Sequence, residues 1–448
     1  MSALPSHAAF LVTLCLLLAS EPSTAAPGLG SPGLLFTASE RRLLDAGWPE
    51  SEASGVQLAI APTGSALAVW QRGDSERVEI WADNFLPDVG WGRAQRLALT
   101  ASDSADPQVS MDADGNAAAV WDDGVYLGYH KIWICRYQPT LGWREPELLA
   151  QSEGDVSIGS PQVAVAPDGA VSVLWSRYEG SRETVWARGF SPDQGWDAAQ
   201  EVGQGRDPQV LAGGGARFLA VWEGRGDCEI WGRGVGWDGR WGEPRCFTES
   251  GFRPSVSVGA DDHVVIVWQL GLAGFGCDRF VPGMGWVGSE VVYDSSGPWR
   301  YPVDPRVVVD GRGAALVAWQ GASGWHGPFP PPAYVWTGRF EPGSGWQQEP
   351  VMAQTGDTSG GSPSVAGNAA GDAIVVWLER DSANYSDLWA RRWVRGSGWE
   401  PPECYVDVQD QRSNHPSGDL AMTDWGDTHL VWADDGGRVW GKVVPAAP

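Results

Sequence analysis

Two aromatic stretches hold the residue types that could grip a polar ligand: Trp299-Arg300-Tyr301 and Trp325-His326, the latter inside Gly321–Tyr334, GASGWHGPFPPPAY. Flat rings cover the apolar face of a ligand while Arg and His supply hydrogen bonds, a combination that suits a sugar or a peptide. No catalytic constellation accompanies them. His130, His263, His326, His415 and His429 form neither HxH nor HExxH, so no metal and no cofactor is indicated. Asp112-Ala113-Asp114-Gly115-Asn116 has the composition of a calcium loop but occupies a position where other units carry Pro167-Asp168-Gly169, and no Glu follows at the twelfth place, so it reads as a turn.

Cysteine chemistry is equally sparse. Six cysteines include Cys15 in the N-terminal apolar run, and no CxxC occurs, which excludes a zinc ribbon and a full disulfide framework. One pair stands out: Cys228 precedes Trp231 and Cys246 follows Trp241, nearly opposite each other across a short hairpin, so a Cys228–Cys246 disulfide is expected. Cys135, Cys277 and Cys404 read as small buried residues.

The elements that position these residues are repeats. In Pro161–Trp196, PQVAVAPDGAVSVLWSRYEGSRETVWARGFSPDQGW, Val163 and Val165 alternate with small or polar neighbours. Pro167-Asp168-Gly169 then turns the chain into a second alternating run ending at Trp175, Val185–Phe190 forms a third strand, and Trp196 opens a fourth. The second-strand tryptophan recurs at Trp70, Trp121, Trp175, Trp222, Trp268, Trp319, Trp377 and Trp432, with gaps of 46 to 58 residues, the period of a propeller blade. From the third-strand position (Gly276 in the fifth unit) to the fourth-strand Trp is always ten residues, and from the Pro opening six of the first strands to the second-strand Trp is always fourteen. Length variation is confined to the connections after even strands. In an antiparallel meander these share one face, which repeat folds use for binding.

The expected fold is therefore all-β: a closed eight-bladed β-propeller of four-stranded antiparallel blades spanning 36–448. Blade 8 is shared between residues 36–46 and 416–444, because the eighth unit ends before a fourth strand and Phe36–Ala46, FTASERRLLDA, matches fourth-strand segments such as Gly92–Leu99. That N-terminal strand would complete the last blade and cover its exposed edge. Residues 1–26, with the apolar run Ala8–Ser20 and small residues before Ala26, read as a signal peptide, and 27–35 as a Gly/Pro-rich leader. The implied setting is secreted, periplasmic or extracellular, with no membrane insertion after cleavage. A net charge of −25, with Lys131 and Lys442 the two lysines among 31 basic residues, repels phosphate backbones and excludes nucleic acid as a partner.

The blocks Arg136-Tyr137-Gln138-Pro139 to Trp143 and Arg339-Phe340-Glu341-Pro342 to Trp346 resemble the kelch pattern of an aromatic, a Pro and a Trp opening the outer strand. Here Val-Trp, Leu-Trp or Ala318-Trp319 stands where kelch units carry a Gly pair. The order of parts is also similar to bacterial Trp-rich lectin propellers. Trp299-Arg300-Tyr301-Pro302 resembles the arginine motif of sialidases, and Ser110-Met111-Asp112 the start of their Asp-box, which breaks register at Asp114. The variable loop face, its aromatics and the export signal point to an exported binding module for a glycan or a protein, with Trp299, Arg300, Tyr301, Trp325 and His326 as ligand contacts. A secreted glycoside hydrolase or lyase is the alternative, and a structural envelope or matrix protein the third. The 22 tryptophans on repeat positions are assigned to packing, and off-schedule Trp237, Trp393 and Trp425 to structure.

Overall fold

The computed structural model describes residues 41–45, 52–73, 77–100, 105–124, 130–271, 274–294, 299–323, 333–347, 351–353, 359–380, 386–406, 417–434 and 436–446. The proposed signal peptide and leader, and the part of the closing segment before residue 41, lie outside them. Eight antiparallel sheets account for every regular element among the described residues. Within a blade, strands a to d follow one another outwards; in blade 1 they are Glu52–Ile60, Ala66–Gly73, Val78–Leu86 and Gln95–Thr100. The a strands of blades 2 to 7 are Gln108–Met111, Val156–Val165, Arg206–Ala212, Phe252–Val258, Trp299–Val309 and Ser359–Gly367. Each packs on the a strand of the next blade right round the ring, including blade 8 on blade 1.

Closure follows from the split eighth blade. Its strands a to c are Ser417–Met422, Thr428–Ala433 and Val439–Val444, and Arg42–Asp45 adds the outer strand, with Arg42 opposite Gly441 and Asp45 opposite Val439. The fully buried Arg72 of blade 1 locks this strand: its Nε donates to Asp45 Oδ2 at 2.6 Å and its Nη2 to the Gly437 carbonyl at 2.7 Å. On the axial side, Leu58 N of blade 1 donates to Asp419 Oδ2 of blade 8 at 2.9 Å.

Tryptophans are the packing units, and register explains their spacing. The b-strand and c-strand tryptophans are direct cross-strand partners in seven blades, for example Trp70 with Trp81 and Trp175 with Trp186. In blade 5, Trp268 faces Gly276, where any Cβ would come within 2.4 Å of the indole Nε1. All eight b-strand tryptophans are buried at 3% exposure or less, as wedge-shaped sheets with large side chains between them require. The d strand differs from expectation in one respect. In six blades its Trp belongs to a two-residue Gly-Trp segment, as at Gly195–Trp196, where a three-residue break precedes the main strand Gln200–Gln204, both pairing with the same c strand. That segment places Trp196 beside Phe190 at 5.3 Å and, in blade 7, Trp399 beside Trp393 at 5.5 Å.

Arginine cements blade to blade. Arg136, Arg279 and Arg339 stack on Phe190, Phe340 and Trp393 of the following blades at 3.9 to 4.0 Å. Arg188 and Arg233 donate from strand c to carbonyls of Leu149 and Val202 in the preceding blade, each at 2.9 Å. A planar guanidinium stacks and donates at once where an ammonium does neither as well, which accounts for the near-absence of lysine.

Candidate functional site

Six a strands enter the ring through a residue held at φ +36° to +53° immediately before proline: Asp106, Ser160, Asp207, Arg253, Asp304 and Ser362. Left-handed backbone is costly for residues other than glycine, so something must hold it. In four of the six the holder is the residue after the b-strand Trp of the preceding blade. Gln71 Oε1 accepts from Ala105 N at 2.6 Å and Asp106 N at 3.1 Å, Ser176 Oγ from Asp207 N at 3.0 Å, Glu223 Oε1 from Arg253 N at 2.6 Å, and Gln320 Oε1 from Ser362 N at 3.4 Å. The pairing shifts register at five of these six entries, as between Arg206 and Gln209 in blade 4. Because strand a begins where strand b ends, this crown of latched residues surrounds the axis on the face that carries the variable loops. Backbone strain of this kind concentrates where side chains must be aimed.

Charged side chains gather on the crown at blades 2 to 6. In blade 2, His130 Nδ1 lies 3.6 Å from Asp122 Oδ1, and both side chains are mostly buried. Two glycines make room for them: a Cβ on Gly124 would meet the His130 ring at 2.1 Å, and one on Gly159 of blade 3 would meet Asp122 Oδ2 at 2.9 Å. Burial raises the Asp122 carboxyl to about 7, and the charges of Asp106 and Asp123 push the same way. At blades 3 and 4, Arg206 lies 3.4 Å from Asp207 and 3.5 Å from Glu223, while Arg225 pairs with Glu183 at 2.7 Å. Asp207 is raised by burial and then by Glu223, and the Tyr178 hydroxyl is raised chiefly by burial. Arg253 reaches Asp304 of blade 6 at 2.6 Å.

The site residues expected from sequence are placed differently. Trp299, Arg300 and Tyr301 belong not to a loop but to an extended a strand, Trp299–Val309, whose backbone pairs Trp299 with Ser323 and Arg300 with Ala322. The entry of strand a and the exit of strand b are thus neighbours in blade 6, as the sequence implied. Trp325, His326 and Trp48 lie outside the described residues. Trp425 is structural: its Nε1 donates to Asp427 at 2.7 Å and its ring leaves no room for a side chain at Gly64 of blade 1. Trp393 is opposite Trp399, in the aromatic column of strand c. Trp237 departs from the structural role expected of it and is 63% exposed.

Cys228 and Cys246 are joined, with their Cα atoms 5.9 Å apart. Asp112 spends both carboxylate oxygens inside its own turn, accepting from Asp114 N, Asn116 N and Asn116 Nδ2 at 2.8 to 2.9 Å, so the turn consumes the would-be calcium ligands. Among the described residues no group of three or more His, Cys, Asp or Glu could hold a metal ion, and no helix is long and apolar enough to cross a membrane. Sequence reasoning missed the crown. The signal was a column of polar residues after the b-strand Trp of blades 1 to 6 and another of polar residues before each Pro, both readable once the spacing of fourteen was aligned.

No protein-family model matches the chain, and no curated protein matches it by sequence. Solved structures do. A polysaccharide lyase of family PL25, an ulvan lyase, is 10% identical over 91% of this chain and 96% of its own, with a TM-score of 0.51. The same enzyme bound to -[GlcA(1-4)Rha3S]- superposes over the same shares at 0.50. A microbial sialidase, 11% identical, covers 83% of this chain and 74% of its own at 0.39. The likeness is one of fold.

Proposed function

We propose that the chain is an exported propeller that binds a glycan on its loop face, across the crown of blades 2 to 6, with Trp299, Arg300, Tyr301, Trp325 and His326 at the rim of blade 6. The observation that carries this reading is convergence: the strained crown residues, the raised carboxyls of Asp122 and Asp207 and all length variation share one face. Ulvan lyase, the neighbour of the same fold, is a glycan-active enzyme, which agrees with the class of ligand. Its anionic oligosaccharide does not transfer. Carboxylates outnumber the arginines around Asp122, Glu183, Asp207 and Glu223, and the chain carries −25 overall, so a neutral glycan is favoured over a uronate or sulfate polymer.

A glycan array probed with the mature protein tests the reading. Trp299→Ala and Trp325→Ala should each weaken capture by about 2 kcal/mol, the size of an aromatic hot spot, while leaving the melting temperature in place. Capture by none of the arrayed glycans, or unfolding of either variant, would overturn it. Export is checked by N-terminal sequencing of protein recovered outside the cell, expected to begin near residue 27.

The second reading, a glycoside hydrolase or lyase, is favoured by one observation. A carboxyl held at about 7 beside an imidazole, as Asp122 is beside His130, keeps its proton near neutrality as a general acid must. If the protein cleaves glycans, Asp122→Asn should abolish turnover and preserve binding. A variant as active as the parent would dispose of that role.

A further inference from the structure

The opposite face of the ring is made of fixed-length turns, and two of them break the pattern. Between strands c and d, the position four residues before the Trp carries Pro87, Pro139, Pro192, Pro282 and Pro342 in five blades and Arg395 in blade 7. These prolines are spent on the neighbouring a–b turn: Pro87, Pro139 and Pro192 each leave only 3.1 to 3.4 Å for a Cβ on Gly64, Gly115 and Gly169. In blade 4 the same position is Trp237, in the turn Gly236-Trp237-Asp238-Gly239. The turn keeps its hydrogen bond, Gly239 N to Gly236 O at 3.0 Å, but its left-handed glycine is Gly239, two residues before Trp241, where the sister turns place one directly before the Trp, and Trp241 meets strand c through a single bridge to Val235.

What it gains is exposure. Among the tryptophans whose side chains are described, Trp237 alone is exposed, at 63%, whereas its counterparts either fill blade seams or hydrogen-bond within their turns. Beside it stands Arg217, whose guanidinium carbon is 5.8 Å from the Trp237 ring centroid. Arg217 is fixed from the preceding blade: its Nη2 donates to Asp168 Oδ2, and that carboxylate is 40% exposed at the a–b turn of blade 3. Arg217 Nε is buried, and 14% of the side chain is exposed. A broad apolar platform with an adjacent, pre-oriented donor and acceptor matches a pyranose, whose axial C–H face stacks on an indole while its edge hydroxyls exchange hydrogen bonds with a guanidinium and a carboxylate. The flanking Asp168 and Asp238, 40% and 65% exposed, are each paired with an arginine, Arg217 and Arg240, so the cluster has no net charge to draw an ionic sugar and suits a neutral one.

From this geometry we infer that Trp237, Arg217 and Asp168 form a second carbohydrate subsite, for a neutral hexopyranose unit, on the face opposite the variable loops. It does not depend on the loop-face reading, and a ring with a sugar site on each face would hold two strands of one polymer, or one looped strand, with avidity that neither face supplies alone.

The test is titration of the full protein with cellohexaose, laminarihexaose and chitohexaose, followed by indole fluorescence and calorimetry. At least one should saturate a site whose occupation perturbs Trp237 emission. Trp237→Ala should weaken that site about tenfold or more, Arg217→Ala and Asp168→Asn should weaken it severalfold, and Trp299→Ala should leave it unchanged. Trp237→Pro restores the residue used by five sister blades, so it should fold like the parent and yet lose the site. Saturation by none of the three oligosaccharides, or equal affinity in Trp237→Pro and the parent, overturns the inference. Loss of binding only in Trp299→Ala would locate all recognition on the loop face.

Discussion

Asp419 occupies the place that Gln57, Gln108, Gln162 and Gln209 fill in blades 1 to 4, and that Ser255 and Ser364 fill in blades 5 and 7. At that place the side chain reaches the next blade's a strand: Ser255 accepts from Val307 N at 3.3 Å and Asp419 from Leu58 N at 2.9 Å. Complete burial raises the Asp419 carboxyl from 3.8 to about 8. The folded state therefore holds a proton between about 4 and 8 that the unfolded chain has released, so this group's contribution to stability falls as pH rises through that window. Asp419→Ser, which supplies the acceptor that blade 5 uses, should raise the melting temperature at pH 9 and leave it nearly unchanged at pH 4. A thermal denaturation series across pH checks this, and an identical alkaline decline in both proteins would refute it. His429 works from the other side. Burial lowers it to about 3, and its ring meets Phe85 of blade 1 edge-on at 4.6 Å, so its folded form stays neutral while the unfolded imidazole gains a proton below about 6.5. Its contribution is lost progressively as pH falls from about 6.5 towards 3, and His429→Phe should flatten the acid limb of the same series.

At the scale of elements, Arg42–Asp45 is short yet anchored by a buried charge. Asp45→Ala removes the carboxylate that pairs with Arg72, a side chain of 0% exposure, and breaking a buried ion pair costs about 3 kcal/mol or more. Chemical denaturation should report that loss, and a change below about 1 kcal/mol would mean the strand is held by its ladder alone. The Cys228–Cys246 link closes a hairpin of sequence separation 18, and its reduction should cost about 3 kcal/mol by loop entropy, measurable as a lower denaturation midpoint in reductant. The strands themselves were readable. Cross-strand tryptophan pairs impose fixed spacings, so period-two runs between Pro and Trp located nearly every a, b and c strand, and the closing segment was recognised from its likeness to Gly92–Leu99. The broken d strand was not, because a Gly-Trp bridge and a three-residue break leave no alternation to detect. Nor was the strand character of Trp299-Arg300-Tyr301, where two register shifts, at Arg300/Val303 and Val303/Arg306, erase the alternation of a regular pair. The crown escaped for a different reason: a latch joins residues about 30 to 40 apart in different blades, and one chain shows the polar column without showing what it touches.

Across the whole ring the seams are unequal. Four are latched by a side chain onto a crown amide, but the residue after the b-strand Trp is Leu378 in blade 7 and Ala433 in blade 8, neither of which can accept a hydrogen bond. Blade 8 is held instead by Arg72, Asp419 and Arg392, the last donating to Gly426 O at 3.1 Å and Val444 O at 3.0 Å. Amide hydrogen exchange should accordingly be faster in Ser417–Met422 than in Arg206–Ala212, and equal protection of the two would show that the latches carry little of the stability. The pairing of the closing strand has a mechanical side as well. Arg42 sits opposite Gly441 and Asp45 opposite Val439, so the outward-leading ends of the two strands leave the sheet at the same edge. Tension along the flanking chain would act on that ladder as on a zip fastener rather than a lap joint, breaking one rung at a time from Arg42 inwards and meeting the Asp45–Arg72 contact last. A propeller tethered at both ends would thus yield under a small, steady pull, and seven of its blades would still be intact when the eighth came apart.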